Sequence, residues 1–331
     1  MYYLFKLEFV TPVRFGNEAR GAGLEKMRPT AHADTLFSAL CNEAALQSKE
    51  CVETLIEAVQ ADKVGFSDLF PYYQEELYLP KPILKRQEPQ SRLECSSEEI
   101  RDKAKLQKKL KKLQYIAINN FEKYLQGLKT AQIPEFSEPD FGVPLLTQRV
   151  NKRGRGNQEN TEPLPYVVSA FQFKDNCGLY FVLKTDEKNL AVIKNLLVAL
   201  GYSGIGGKRT SGYGKFIVKQ ISQLALATIN SEQKLYKMLI NEQAKTQMAL
   251  AVLTPKAQEL SLIKQGNYLI IARSGFISSP EFKTQQKRDS IYMLAPGSCL
   301  PKRAQGEFNK IQTLAHPVYR YAKGMFVGLD I

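Results

Sequence analysis

In the first ten residues Tyr3, Phe5, Leu7 and Phe9 alternate with Lys6 and Glu8. A period of two predicts a half-buried strand, ended by Thr11 and Pro12. After His32 the spacing changes: Leu36, Phe37, Leu40, Ala44 and Ala45 follow a helical period. Residues 76–79 predict a short strand before the breaker Pro80, Lys81, Pro82. Residues 171–173 and 179–183 predict a hairpin turning at 174–178. Leu190, Ile193, Leu196, Leu197 and Leu200 predict a helix over 188–200, and residues 215–221 a strand. The order is strand, helix, strands, helix, strand. This is the β-α-β-β-α-β plan of a ferredoxin-like (RRM-like) unit, spanning residues 1–227.

Two stretches interrupt the plan. Residues 85–135 read as a basic helical insertion. Leu106, Leu110, Leu113 and Phe121 form a narrow apolar stripe among Lys103, Lys105, Lys108, Lys109, Lys111 and Lys112. Such a face is either solvated or in contact with RNA. Residues 149–165 are polar and bracketed by strand-like sequence, the tip of a hairpin over about 145–170. Arg149, Lys152, Arg153 and Arg155 make that tip positive; it is a plain surface loop or a binding element. Residues 228–246 are polar and helix-compatible and read as a connection. A second unit follows over 246–331, with strands expected at 248–253, 267–272, 291–294 and 325–329. The class is α+β, with a second unit short of clear helices.

Charge narrows the partners. Lys and Arg number 46 against 33 Asp and Glu, a net charge of +13. Nucleic acid is the leading partner for such a balance. No apolar run reaches the ~18 residues of a membrane span, and no signal-peptide pattern opens the chain. Five cysteines at long, irregular gaps offer neither a disulfide framework nor a zinc pattern. A reducing, cytoplasmic setting is expected, with no membrane partner.

The densest candidate chemistry lies at 201–216, GYSGIGGKRTSGYGKF, which holds six of the 21 glycines. Exposed N–H groups beside Lys208 and Arg209 suit a phosphate. The stretch fails the P-loop pattern, because Tyr202 stands where the first glycine belongs and Arg209 replaces the Ser or Thr. It fails the dinucleotide pattern as well: Arg209 holds the third glycine's place, and the loop follows a helix rather than opening one. No cofactor, metal or catalytic set is expected. Of the two histidines, His32 lies at a basic loop-to-helix junction. It is a general acid or base for RNA cleavage, a phosphate donor or a helix cap. Asp34 beside it reads as a carboxylate pairing with the helix N-terminus. Basic and aromatic residues also interleave at Arg14–Phe15, Arg273–Phe276 and Tyr319–Arg320–Tyr321, a pattern that suits single-stranded RNA.

The spacing Gly204-x-Gly206, five residues, Gly212-x-Gly214 resembles the glycine-rich loop of the RAMP superfamily of CRISPR proteins. HADTLFSAL at 32–40, RSGFISS at 273–279, YMLAPGS at 292–298 and HPVYRY at 316–321 narrow the likeness. Together they resemble the subunit-four family of the Csm complex, the type III-A CRISPR effector. The resemblance implies two ferredoxin-like domains and a protruding thumb hairpin at the polar tip. It implies a non-catalytic cap that holds the repeat-derived 5′ handle of the CRISPR RNA. The cap joins the large polymerase-cyclase subunit to the backbone filament in antiviral defence, its thumb meeting the target RNA at the duplex edge. On this footing Gly204, Gly206, Gly212 and Gly214 shape the loop, and Lys208, Arg209, Thr210 and Ser211 meet handle phosphates. Tyr213 stacks or packs. Arg14, Arg28 and His32 flank the groove, and Arg149, Arg153 and Arg155 meet RNA near the guide's start. Arg273 and Arg320 complete the expected RNA-binding set. The alternative is a RAMP endoribonuclease that processes repeat RNA, with His32 as acid or base.

Overall fold

The computed structural model describes residues 1–16, 23–84, 97–130, 134–151, 164–277, 279, 286–311, 313 and 316–331. Its main sheet runs in the order Phe216–Gln223, Tyr2–Phe9, Cys177–Lys184, Phe70–Tyr73, Glu76–Pro80, Tyr115–Ala117. The first four strands pair antiparallel throughout. Numbered by chain position within the plan, they fall in the order 4-1-3-2, the arrangement of a β-α-β-β-α-β unit. Helices Ala33–Gln47 and Glu187–Ser203 take the two helical places of that plan, with Lys49–Gln60 packed after the first.

The first strand is more deeply set than its alternation predicts. Leu4 and Lys6 are buried along with Tyr3, Phe5, Leu7 and Phe9. Both faces of this strand are covered, so the outward-facing Lys6 of a half-buried strand is replaced by an interior cation. Its ammonium lies 4.0 Å from the Glu232 carboxylate and 5.4 Å from the centre of the Tyr72 ring. Burial pulls Lys6 below the usual lysine range, and Glu232 opposes that pull.

The hairpin expected between 171–173 and 179–183 does not form. Leu164–Phe173 instead pairs backwards with Gly142–Asn151 in a ten-residue ladder, from Gly142 opposite Phe173 to Asn151 opposite Leu164. Cys177–Lys184 turns away to the main sheet. Its apolar sequence is buried at every position but Lys184, as a central strand requires. The segment at 85–135 is no loose appendage in its described part. Leu110, Leu113, Ile116, Phe121, Tyr124, Leu125 and Leu128 join the main core, and Tyr115–Ala117 extends the sheet.

In the second half, Thr246–Ala249 lies between Phe326–Leu329 and Cys299–Leu300. Asn267 bridges to Cys299 beyond them. This is again the order 4-1-3-2 in reduced form. A one-turn helix, Leu260–Ile263, stands in the first helical place, and the hairpin Gly306–Ile311/Val318–Lys323 occupies the second. A further hairpin, Ile270–Phe276/Lys287–Leu294, joins the middle strands. Helix Asn230–Ile240, in the stretch read as a connection, buries Ser231, Glu232, Leu235 and Leu239. One core cluster takes Met248, Leu250, Tyr321 and Val327 together with Phe5, Phe37 and Phe66. Tyr321 fixes the join: its hydroxyl accepts the Phe66 N–H at 2.8 Å, and its ring lies 5.6 Å from Phe37 and 5.7 Å from Phe66. No described helix is long and apolar enough to cross a membrane.

Candidate nucleic-acid interface

Helix Glu187–Ser203 is capped by Asp186, whose carboxylate accepts the Asn189 N–H at 2.8 Å. It ends at Gly204, whose N–H closes on the Leu200 carbonyl with φ at 85°. The chain then folds tightly on itself. Ile205 donates to Gly214 O, Gly207 to Arg14 O, Gly214 to Pro12 O, and Ser211 and Gly212 close the turn Arg209–Ser211. These N–H groups hold the loop's shape rather than a ligand. Thr210 and Ser211 are exposed at its crown, and Lys208 and Arg209 are half-buried. Lys208 adopts φ 63°, the left-handed region that a side chain rarely takes.

The thumb ladder sets its residues onto this crown. Arg149 and Tyr166 oppose each other across the two strands. The Arg149 guanidinium donates to Ser211 Oγ at 3.1 Å and lies 5.6 Å from the Tyr213 ring centre. Lys208 Nζ lies 5.4 Å from the Tyr166 ring. Tyr213 is held below the usual tyrosine range, first by its hydrogen bond with Thr147 and then by Arg149 and Lys208 against some burial. Two cations and two tyrosines therefore meet at one seam between loop and thumb. Arg153 and Arg155 lie outside the described residues.

From the seam a line of cations runs inward. Arg14 sits under the loop, its carbonyl taking the Gly207 N–H and its guanidinium donating to Leu24 O at 3.3 Å. It is buried rather than presented to a groove, and burial lowers its pKa. Phe15, next in sequence, pairs with Arg28. Arg28 reaches His32 Nε2 at 3.3 Å, and His32 Nδ1 meets the Asp68 carboxylate at 2.5 Å. Arginine has only donors, so Nε2 accepts and Nδ1 carries the proton toward Asp68.

His32 stands at the N-cap of helix Ala33–Gln47 without capping it. Asp68 supplies that cap from another element, its Oδ1 taking the N–H of Ala33 at 2.8 Å and of Val252 at 3.1 Å. Asp34 is not a bare helix-dipole carboxylate either. Arg273 clamps it with two bonds of 3.1 and 2.7 Å and reaches Thr35 Oγ1 at 3.1 Å. Arg320 is buried and donates to the Asp289 carbonyl at 2.9 Å. The described members of the expected set thus fall in three places: a loop–thumb seam, a His32–Asp68 node and the neighbourhood of the Asp34–Arg273 pair. Asp68, Tyr166 and Thr147 were not foreseen: no spacing rule links them to partners so far along the chain.

Burial pushes the Asp34 carboxyl up, but Arg273's charge and hydrogen bonds, then His32 and Arg288, carry it below its ordinary 3.8. The ion pair therefore stabilises the fold fully above that value and is lost as pH falls through the lower, folded-state value. The stability gap between the wild-type chain and Asp34→Asn is expected to be constant near neutrality and to narrow below pH 3.8. Urea midpoints taken along an acid series measure it; a gap that widens with acid contradicts the pairing.

A family model described as the CRISPR Csm4 C-terminal domain matches residues 242–329. A curated relative from Streptococcus thermophilus, the CRISPR system Cms protein Csm4, is 30% identical over 331 residues, covering 99% of both chains. A Mycobacterium tuberculosis protein of the same description is 29% identical over 98% of this chain and 97% of its own. Among solved structures, one of a Csm3–Csm4 subcomplex in the type III-A interference complex aligns with TM-score 0.65 at 17% identity, covering 99% of each chain. One of a Csm1–Csm4 cassette with pppApA aligns with TM-score 0.57 at 20% identity, covering 99% of this chain and 97% of the other.

Proposed function

The chain belongs to the Csm4 family of CRISPR proteins, and from that premise we propose that it is a non-catalytic RNA-binding subunit of a type III-A effector. It grips the 5′ repeat-derived handle of the CRISPR RNA at the glycine loop, and its thumb meets target RNA beside it. It links the large polymerase-cyclase subunit to the backbone filament. Assemblies of relatives, a Csm1–Csm4 cassette and a Csm3–Csm4 subcomplex, support two protein-binding faces.

The observation that carries the RNA reading is the seam. Arg149, Lys208, Tyr166 and Tyr213 bring two cations and two aromatic rings together beside the exposed Thr210 and Ser211. Cations take phosphates and rings take splayed bases. Arg14, Arg28 and His32 then act as supports behind the loop. Against the endoribonuclease alternative stands Arg28, 3.3 Å from His32 Nε2, the ring nitrogen left to meet a substrate once Asp68 holds Nδ1.

Lys208→Ala and Arg149→Ala are each expected to weaken binding of single-stranded handle RNA several-fold. Each should also flatten the log–log salt dependence by about 0.7, the counterion release of one single-strand phosphate contact. Anisotropy with the full chain across a salt series reads both quantities. Unchanged affinity and slope in both variants would overturn the reading. Metal-independent cleavage of repeat RNA, lost in His32→Ala, would restore the enzyme.

A further inference from the structure

The inward face of the hairpin Ile270–Phe276/Lys287–Leu294 packs Ile271, Ile291 and Met293 against Val252 and Ala322. Beyond Ile291 this face turns from apolar to cationic. Arg273 pairs with Ile291, but Gly275 pairs with Arg288 rather than Asp289. Two residues on one strand therefore span three on the other, a β-bulge. In an unbroken ladder Arg288 would point to the opposite face, because side chains alternate with a period of two. The bulge turns Arg288 onto the face that already carries Arg273. Gly275 accommodates it at φ 139°, where an added Cβ would lie 3.4 Å from the Arg288 guanidinium. On strand Val318–Lys323, Arg320 lies two residues before Ala322 and shares its face.

Three guanidinia thus come close enough to the buried Asp34 carboxylate to feel its charge, and Arg273 bonds it directly. Asp34 is already taken by the fork of Arg273. Arg320 spends a donor on a backbone carbonyl, with the exposed Asp289 carboxylate as a further neighbour. Arg288 Nε is buried and has no hydrogen-bond partner among the described residues. Burial pushes both Arg288 and Arg320 below the usual arginine range, and the neighbouring guanidinia add to that push. Positive charge set this way, with a buried donor unspent, suits an anion with several acceptor oxygens. The group also ends a run of polar and charged positions that leads from the glycine loop through Arg14, Arg28 and the neutral His32 to the Asp34–Arg273 pair.

We propose that Arg288, backed by Arg273 and Arg320, forms a second phosphate subsite, which takes a backbone phosphate of the single-stranded RNA held at the glycine loop. The proposal rests on the RNA-binding reading above and adds a contact remote from the loop in sequence. Asp34 serves as the fixed internal anion that orients Arg273, and the arriving phosphate takes the donors of Arg288.

The test uses the full chain and labelled single-stranded RNA carrying the repeat-derived handle, with anisotropy read from about 50 to 300 mM salt. Arg288→Gln is expected to weaken binding about five- to tenfold and to lower the salt slope by about 0.7. Arg288→Lys should keep the slope and lose part of the affinity, because the charge remains and the fork does not. Thermal melts establish that each variant folds, and Arg288→Lys carries the test if the glutamine variant does not. Unchanged affinity and slope in Arg288→Gln, with binding lost in Lys208→Ala, overturn the subsite and leave the RNA reading standing. Loss in neither variant overturns both. Inorganic triphosphate is the remaining probe. If it raises the melting temperature of the wild type but not of Arg288→Gln, while RNA affinity is the same in both, the site takes free phosphate and the RNA assignment fails.

Discussion

Gly214→Ala is expected to destabilise the chain by about 3 kcal/mol and to remove RNA binding, whereas Gly212→Ala, two residues away, costs about 1 kcal/mol. Both glycines have positive φ, 78° at Gly214 and 84° at Gly212. A side chain there is strained by about 1–2 kcal/mol whatever the space around it. The space differs. A Cβ on Gly214 would lie 2.0 Å from the Ile205 carbonyl oxygen, while one on Gly212 meets nothing within 4 Å. The Ile205 carbonyl cannot withdraw cheaply, because the Ile205 N–H is bonded to the Gly214 carbonyl at 2.9 Å and Gly214 N–H to Pro12. The overlap adds about 1–3 kcal/mol, as overpacking generally does. Gly204 and Gly206 fall on the severe side as well, at 2.6 Å from Tyr213 O and 2.5 Å from Arg14 O. Urea midpoints at constant m-value separate the two classes. Equal losses at Gly212 and Gly214 would show that close approach of backbone is not what these glycines serve.

That ranking marks the limit of what spacing tells. The pattern Gly-x-Gly, five residues, Gly-x-Gly is plain in the sequence, and so is its place between helix and strand. Which glycine answers a steric demand and which only a backbone angle depends on how the loop closes on Ile205 and Tyr213 and, for Gly206, on Arg14 nearly two hundred positions earlier. The first strand shows the same limit from the other side. Its period of two is real, but Lys6 is interior because helix Asn230–Ile240 brings Glu232 to it, and no local pattern carries that information. The hairpin expected at 171–183 does not form for a related reason. Both of its arms are good strands, and sequence proximity suggests pairing, but the ten-residue ladder with 142–151 offers far more hydrogen bonds. Reduced helices and short strands made the second half hard to read. There Cys299–Leu300 and Leu260–Ile263 hold the places of full elements in two and four residues.

Asp68→Ala is expected to be among the most destabilising single changes, about 3–5 kcal/mol, and more damaging than His32→Ala. Asp68 is almost fully buried, and its carboxylate joins three pieces of chain. It takes the Ala33 N–H that would otherwise be orphaned at the start of a helix, the Val252 N–H of the second half, and the proton of His32. Truncation leaves two buried backbone donors unpaired, each costing about 1–3 kcal/mol, together with a histidine stripped of its acceptor. It also uncaps helix Ala33–Gln47, whose His32 makes no cap bond of its own. His32→Ala removes one of these bonds and leaves both backbone donors satisfied, so about 1–2 kcal/mol is expected. Asp68→Asn falls between them, because its amide oxygen still accepts from one side. The order Ala, Asn, His32→Ala in falling cost, read from urea denaturation, distinguishes a structural node from a catalytic pair. In a catalytic pair both residues would matter to turnover and neither much to stability. In a node that ties helix Ala33–Gln47 to Val252, Asp68→Ala should also raise hydrogen exchange at Ala33 and Val252 together, and exchange rising at one amide alone would sink the claim that this carboxylate couples the two halves.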